Sequence, residues 1–162
     1  MIDVEKNGPN GWFSRFDEAV LVPEVENIKE NGVYLEVGVH LGRSLWLARQ
    51  ASKPSVEVYG VDIMEDPKID GTTFLQGDSK TLEFDKEIDV IFIDGDHSYE
   101  GCKADIEHWY PKMAKDGVML FHDCDETSPG VVRAVKEFVK QYKFKDVYYE
   151  PNQQCSMARI RL

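Results

Sequence analysis

Apolar residues along the chain fall in short clusters, and two spacings alternate. Residues 33–37, 56–61, 72–76, 88–93 and 118–121 are dense runs of Val, Ile, Leu, Phe and Tyr, too short for helices, and read as buried strands. Between them the spacing changes. Tyr99, Cys102, Ile106, Trp109 and Met113 recur at steps of three and four, which puts them on one face of a helix and assigns them to packing. Val131, Val132, Val135, Phe138 and Val139 mark another helix, and residues 41–50 a third, entered through Gly42-Arg43-Ser44. Ahead of these, the segment up to Val22 reads as irregular and aromatic, with Trp12, Phe13 and Phe16. A short helix is expected over 23–30, with Pro23 in its first turn and Asn31-Gly32 as its stop. Asp116-Gly117 reads as a turn. Residues 146–149 and 156–162 read as two last strands joined by 151–154, a connection short enough only for an antiparallel pair.

Alternating strands and helices predict an α/β fold, a Rossmann-like doubly wound sheet of about seven strands, mostly parallel with an antiparallel C-terminal strand. In such sheets ligands bind beyond the carboxyl ends of the strands. The polar signatures of this chain fall at those ends: Glu36 to Ser44, Asp62, Gly77-Asp78-Ser79, Asp94 to His97, and His122-Asp123. Length fits one domain over residues 1–162, with 1–32 as an N-terminal cover and 33–162 as the catalytic core.

The formal net charge is −11, which disfavours nucleic acid as a partner, because phosphate backbones attract Lys and Arg. No run approaches the ~20 apolar residues of a membrane span, and the start of the sequence, Met1 to Glu5, lacks an apolar signal core. Cys102, Cys124 and Cys155 are scattered without a Cys-x-x-Cys pattern, so a reducing, cytoplasmic setting is expected.

The first strand-to-helix turn carries Glu36-x-Gly38-x-x-x-Gly42 rather than the Gly-x-Gly-x-x-Gly of dinucleotide sites. A pyrophosphate wants amides and is repelled by a carboxylate, whereas an amino-acid ammonium wants one. The turn resembles the first motif of class I S-adenosylmethionine-dependent methyltransferases. The resemblance runs on through Asp62, Gly77-Asp78-Ser79, Asp94-Gly95-Asp96-His97 and His122-Asp123, and the stretch 93–101 with 121–123 is similar to the small-molecule and sugar O-methyltransferases. It implies S-adenosylmethionine as cofactor, with Glu36 and Gly38 facing its methionine portion in a turn completed by Gly42 and Ser44. Asp62 would accept from the ribose hydroxyls, Asp78 and Ser79 would border the adenine, and Asp94 would border the cofactor or a metal.

Some enzymes of that subgroup use a cation. Asp94, His122 and Asp123 would converge to hold Mg²⁺ or Mn²⁺ if the fourth and fifth strands are neighbours, lowering the pKa of an acceptor hydroxyl. The related metal enzymes carry a further acid or amide beside the second aspartate; here the flanking residues are His122 and Cys124, a softer set suited also to Zn²⁺. Asp96 and His97 are the candidate general bases. Each feature has a plainer reading: Asp62 as a loop residue, Asp96 or His97 as a helix cap, His122 as a core histidine, Trp12 and Phe13 as packing. The expected function is methyl transfer to a small-molecule acceptor, a hydroxyl first, in a monomer or a homodimer that completes an open site. The rivals are a nucleotide-dependent oxidoreductase, a non-catalytic cofactor-binding module and a nucleic-acid base methyltransferase. Asp94-Gly95-Asp96-His97 and the net charge argue against the last.

Overall fold

The computed structural model describes residues 7–149 and 156–162. Met1 to Glu5, the 151–154 connection and Cys155 lie outside the described residues. Seven strands form one sheet: β1 Val33–Val37, β2 Glu57–Asp62, β3 Thr73–Gln76, β4 Ile88–Ile93, β5 Met113–Phe121, β6 Asp146–Tyr149 and β7 Ala158–Arg161. Their order is β3-β2-β1-β4-β5-β7-β6. The first five are parallel, and β7 runs antiparallel between β5 and β6. Order reverses between β1 and β4, so the crevice for a ligand opens where their carboxyl ends diverge.

Among the described residues four helices cover the two faces: α1 Arg15–Glu26, α2 Arg43–Ala51, α3 Tyr99–Trp109 and α4 Pro129–Gln141. Strand side chains alternate between faces. Leu35, Val37, Ile91, Ile93, Met119 and Phe121 pack with Cys102, Ile106 and Trp109 of α3 and Val135 and Phe138 of α4. Tyr34, Val90, Phe92, Val118 and Leu120 pack with Leu21 and Val25 of α1 and Leu45 and Ala48 of α2. The α3 stripe is therefore core packing, as its spacing predicts.

Three local expectations fail. The N-terminal helix covers Arg15–Glu26, so Pro23 lies inside it rather than at its start. The signal is Ser14-x-x-Asp17: the Ser14 side chain accepts from the Asp17 amide, and Asp17 reaches back to the Ser14 amide, a capping box that nucleates the helix well before the proline. Met113 does not continue the α3 face, because a 3₁₀ turn over Tyr110–Lys112, with Pro111 in it, ends the helix and Met113 opens β5. Asp116-Gly117 lies within β5 as an irregularity, where the pairing with β4 shifts register between Ile88 and Val90.

Candidate active site

A cavity of about 800 Å³ opens at the carboxyl ends of β1, β2, β3, β4 and β5. It falls in the range of small-molecule and cofactor sites. Gly38, Ser44, Asp62, Asp78, Ser79, Asp94, Asp96, His97, His122 and Asp123 all line it, so nearly every residue singled out from the sequence meets at one place. Glu36 and Gly42 do not line it. Trp12 and Phe13 do, while Phe16 stands outside.

The first turn needs three left-handed residues, Gly38 (φ 86°), His40 (φ 49°) and Gly42 (φ 84°). Gly38 also has a packing duty: a Cβ there would lie 2.1 Å from the carbonyl oxygen of Asp94. Gly42 sets the entry to α2 and makes no side-chain cap. Glu36 follows Tyr34 on the face covered by α2 and is fully buried. Its carboxylate accepts from Tyr34 Oη (2.8 Å) and Ser44 Oγ (2.7 Å), so it stands behind the cavity wall and holds Ser44, which does reach the cavity. Burial pushes the Glu36 carboxyl up to about 8, against the lowering by its two hydroxyl donors. A folded-state pKa above the unfolded one gives stability that is present at low pH and lost as pH rises through about 8. Glu36→Gln should therefore raise the melting temperature of the ligand-free protein more at pH 8.5 than at pH 5. Equal shifts at both pH values would show that Glu36 does not carry that dependence.

Asp62 organises the turn. One oxygen accepts from the amides of Val39 and His40 (2.8 Å each), and the other from Met64 (2.9 Å). Asp78 accepts from the Lys80 amide (3.0 Å), with Lys80 Nζ at 3.6 Å. Ser79 Oγ donates to Asp105 (2.6 Å), a buried carboxylate on α3 whose pKa burial raises. Sequence reading missed Asp105, which hides within the apolar face of α3. Asp96 accepts from the Ser98 amide (2.9 Å), which lowers its pKa, but the α3 cap itself is Ser98, whose Oγ accepts from Gly101.

The fourth and fifth strands are neighbours, and their ends carry the densest charge. Alternation explains the grouping: Val90, Phe92 and Asp94 share a face with Val118, Leu120 and His122, the face under α1. His97 Nε2 lies 3.4 Å from Asp94 Oδ1 and 3.3 Å from Asp123 Oδ2. His122 Nδ1 lies 3.3 Å from the same two oxygens, and its Nε2 is 3.5 Å from Asp17 Oδ2 of α1. The His122 contacts are ion pairs without hydrogen-bond alignment, since both of its nitrogens are buried with no hydrogen-bond partner among the described residues, whereas His97 Nε2 is hydrogen-bonded to Asp94 Oδ1. Phe13 stacks on the His122 ring (centroids 5.7 Å) and Phe92 meets it edge-on (5.8 Å).

Burial alone would lower the His122 pKa. Asp123, Asp17 and Asp94 outweigh it and bring the imidazole to about 12. The Asp94 contact raises His97, against burial. The metal-type cluster among the described residues is Asp94, His97 and Asp123, whose ligand atoms lie within 4.8 Å of one another. His97 thus takes the place expected for His122. Cys124 is buried beside the cluster, and burial pushes its thiol up to about 12, the reverse of an activated nucleophile.

Asp17 and Arg43 also went unrecognised in the sequence as parts of the site, while Trp12 and Phe13, for which the sequence favours packing over lining an acceptor pocket, do reach the cavity. Arg43 lines the cavity and donates from Nη1 to the Pro9 carbonyl (3.2 Å), tying down the segment in which Trp12 stacks on His40 (5.7 Å). The Ser14–Asp17 capping pattern was the available signal for Asp17.

Comparisons with known proteins bear on the family and the fold. A family model described as a methyltransferase domain (Methyltransf_24) matches residues 35–124, more than half of the chain. Uncharacterized protein y4gI of Sinorhizobium fredii (strain NBRC 101917 / NGR234) is 41% identical over 46 residues, 28% of this chain and only 5% of that protein's length. Uncharacterized protein R132 of Acanthamoeba polyphaga mimivirus is 28% identical, covering 76% of this chain and 70% of that protein. Among solved structures, CalS11, a TDP-rhamnose 3'-O-methyltransferase of calicheamicin biosynthesis, superposes with a TM-score of 0.68 at 18% identity, over 89% of this chain and 76% of that one. The MycE methyltransferase of the mycinamycin pathway, in complex with Mg and SAH, gives 0.69 at 18% identity, over 93% of this chain and 50% of that one. The chain belongs to the methyltransferase domain family, with the fold of class I S-adenosylmethionine-dependent methyltransferases.

Proposed function

We propose that the chain works as one methyltransferase domain over residues 1–162 and transfers the methyl group of S-adenosylmethionine to a hydroxyl of a small molecule, such as a sugar. The observation that carries this reading is the meeting of Asp62, Asp78, Asp94, Asp96 and Asp123 with His97 around a single cavity. A wall so rich in carboxylates suits a cofactor bearing an ammonium and a sulfonium, and repels the pyrophosphate of a dinucleotide. When bound, S-adenosylmethionine supplies an already activated methyl carbon, so the protein needs no covalent nucleophile.

The chain's residues divide the remaining work. Asp62, already aligned by three amides, has acceptor capacity left for ribose hydroxyls. The Gly38 backbone and Ser44 border the methionine end, with Glu36 acting on it only through Ser44. Asp78 and Ser79 border the adenine, and Asp94 lies between cofactor and acceptor. His97 takes the hydroxyl proton at Nε2, where Asp94 and Asp123 stabilise the imidazolium that forms. Asp96, held by the Ser98 amide at a lowered pKa, is the weaker base. MycE is described with Mg; here Asp94, His97 and Asp123 would hold a cation, in which case His97 would be a ligand and Asp96 the base, and one nitrogen with two carboxylates suits Mn²⁺ better than Mg²⁺. Such a cation would lower the acceptor's pKa.

Calorimetric titration tests the cofactor. Saturable binding of S-adenosylmethionine, with none of NADH, is the expected result; binding of NADH alone would replace this reading with an oxidoreductase. Asp62→Ala should weaken S-adenosylmethionine binding by about tenfold or more, equivalent to ~1.4 kcal/mol. His97→Gln should leave that binding intact and abolish transfer of labelled methyl to a panel of nucleotide-linked sugars and phenols. Because the carboxylates raise the His97 pKa, kcat/KM should climb with pH through a value above 6.5. A profile flat from pH 6 to 9 would remove His97 as the base.

A further inference from the structure

Asp17 comes from outside the sheet, yet it is only 4% exposed and faces a histidine at the centre of the charge cluster. Its capping duty does not account for that burial. The capping box uses Oδ2 alone, which accepts from Ser14 N (2.8 Å) and Ser14 Oγ (2.6 Å), and caps of this kind work at an exposed helix end. The second oxygen, Oδ1, is buried with no hydrogen-bond partner among the described residues. A buried carboxylate with an idle oxygen is costly unless a cationic partner compensates it. That partner is His122, whose Nε2 lies 3.5 Å from Oδ2, the oxygen that also serves the cap.

The same short segment grips the ring twice. Phe13 covers its face and Asp17 meets Nε2, while Phe92 closes its edge. With those three sides set, Nδ1 has one direction left, toward Asp94 Oδ1 and Asp123 Oδ2 at 3.3 Å each. Asp123 itself sits at φ 48°, a left-handed conformation that a non-glycine residue keeps only when its surroundings dictate it. The two oxygens that His122 Nδ1 faces are those that His97 Nε2 faces from the cavity side.

We propose that Asp17 is a positioning residue of the reaction centre: through His122 it fixes the facing oxygens of Asp94 and Asp123, so that α1 is a working part of the site and not a cover over it. The geometric claim stands on these contacts, and its importance for catalysis rests on the methyl-transfer reading above.

The test follows the ring signals of His122 and His97 by NMR in protein carrying ring-labelled histidine and phenylalanine. In the wild type, His122 should show ring-to-ring contacts with Phe13. Ser14→Ala weakens the helix cap and leaves the Asp17–His122 contact in place, so it should keep those contacts and leave His97 unmoved. Asp17→Asn should weaken the Phe13 contacts and also displace the His97 signals, although His97 lies on the far side of the two aspartates. Asp17→Glu keeps the charge but shifts the carboxylate, and should displace the same signals in a protein that retains its cap charge. The proposal is overturned if either Asp17 variant perturbs His122 no more than Ser14→Ala does, or moves His122 and leaves His97 in place. Titration with S-adenosylhomocysteine in parallel keeps the two readings apart. Wild-type protein that does not bind it defeats the methyl-transfer reading, while the ring signals still decide the role of Asp17.

Discussion

Gly38→Ala should cost about 3–5 kcal/mol of folding stability, because two penalties add. The left-handed backbone at φ 86° disfavours any Cβ by about 1–2 kcal/mol. The new methyl would also meet the Asp94 carbonyl oxygen at 2.1 Å, its carbon at 2.5 Å and Gly95 Cα at 2.9 Å, all of them backbone. Overpacking typically costs another 1–3 kcal/mol, about the upper end where nothing can rotate aside. The ends of β1 and β4 would have to part, and the cavity lies between them. Urea unfolding measures the loss, with Gly77→Ala as the control. There a Cβ meets only the Leu82 side chain, at 3.2 Å, and a small change is expected. A Gly38→Ala protein as stable as that control would show that the approach of the two strands is not obligatory.

His122→Gln should destabilise the protein by about 3–5 kcal/mol, the usual consequence of removing one partner from a buried ion pair. Three carboxylates, Asp17, Asp94 and Asp123, would then face one another without the cation between them. The pH dependence has a definite sign. The folded imidazole titrates near 12, above its unfolded value of 6.5, so its stabilisation is full below about pH 6.5 and fades as pH rises toward 12. The gap between wild type and variant should therefore widen as pH is lowered from 9 to 6.5. Below about pH 3.8 Asp17 and Asp123, which His122 holds low against their burial, protonate and the gap should close. Thermal unfolding across that series is the measurement, and a gap that grows with rising pH would show that His122 is neutral in the fold.

The strand ends were legible because two signals coincide there. A buried strand is an uninterrupted apolar run, and the polar residue that stops it is also the one placed at the ligand crevice. Asp62, Asp94 and Asp123 declare themselves in this way. Residues that act from helices do not. Asp105 lies on the inward side of α3 among Cys102, Ile106 and Trp109, and nothing in its spacing separates a buried carboxylate from a solvent-facing one. Asp17 was obscured by Pro23, which reads as a helix start when it is an interior residue tolerated after a strong cap. Exchanging His122 for His97 in the metal-type cluster had a similar cause. Adjacent positions look equivalent in sequence, but alternation turns His122 under α1, whereas His97 lies in the loop after β4 and reaches the cavity.

Glu24, near the other end of α1, has a consequence for the order of folding. It is 3% exposed and receives Arg161 Nη2 at 2.7 and 2.8 Å and Arg159 Nη1 at 3.3 Å, across 137 and 135 residues of sequence. Synthesis proceeds from the N-terminus at ~5–20 residues per second, so α1 leaves the ribosome seconds before β7. Until then its buried glutamate has no cation, and docking α1 would bury an unpaired charge. The helix that carries Asp17 to His122 is thus made well before β7 yet is among the last segments able to settle. Contacts of such long separation slow folding, and a nascent chain halted before β7 should hold most of the parallel sheet but lack a finished charge cluster.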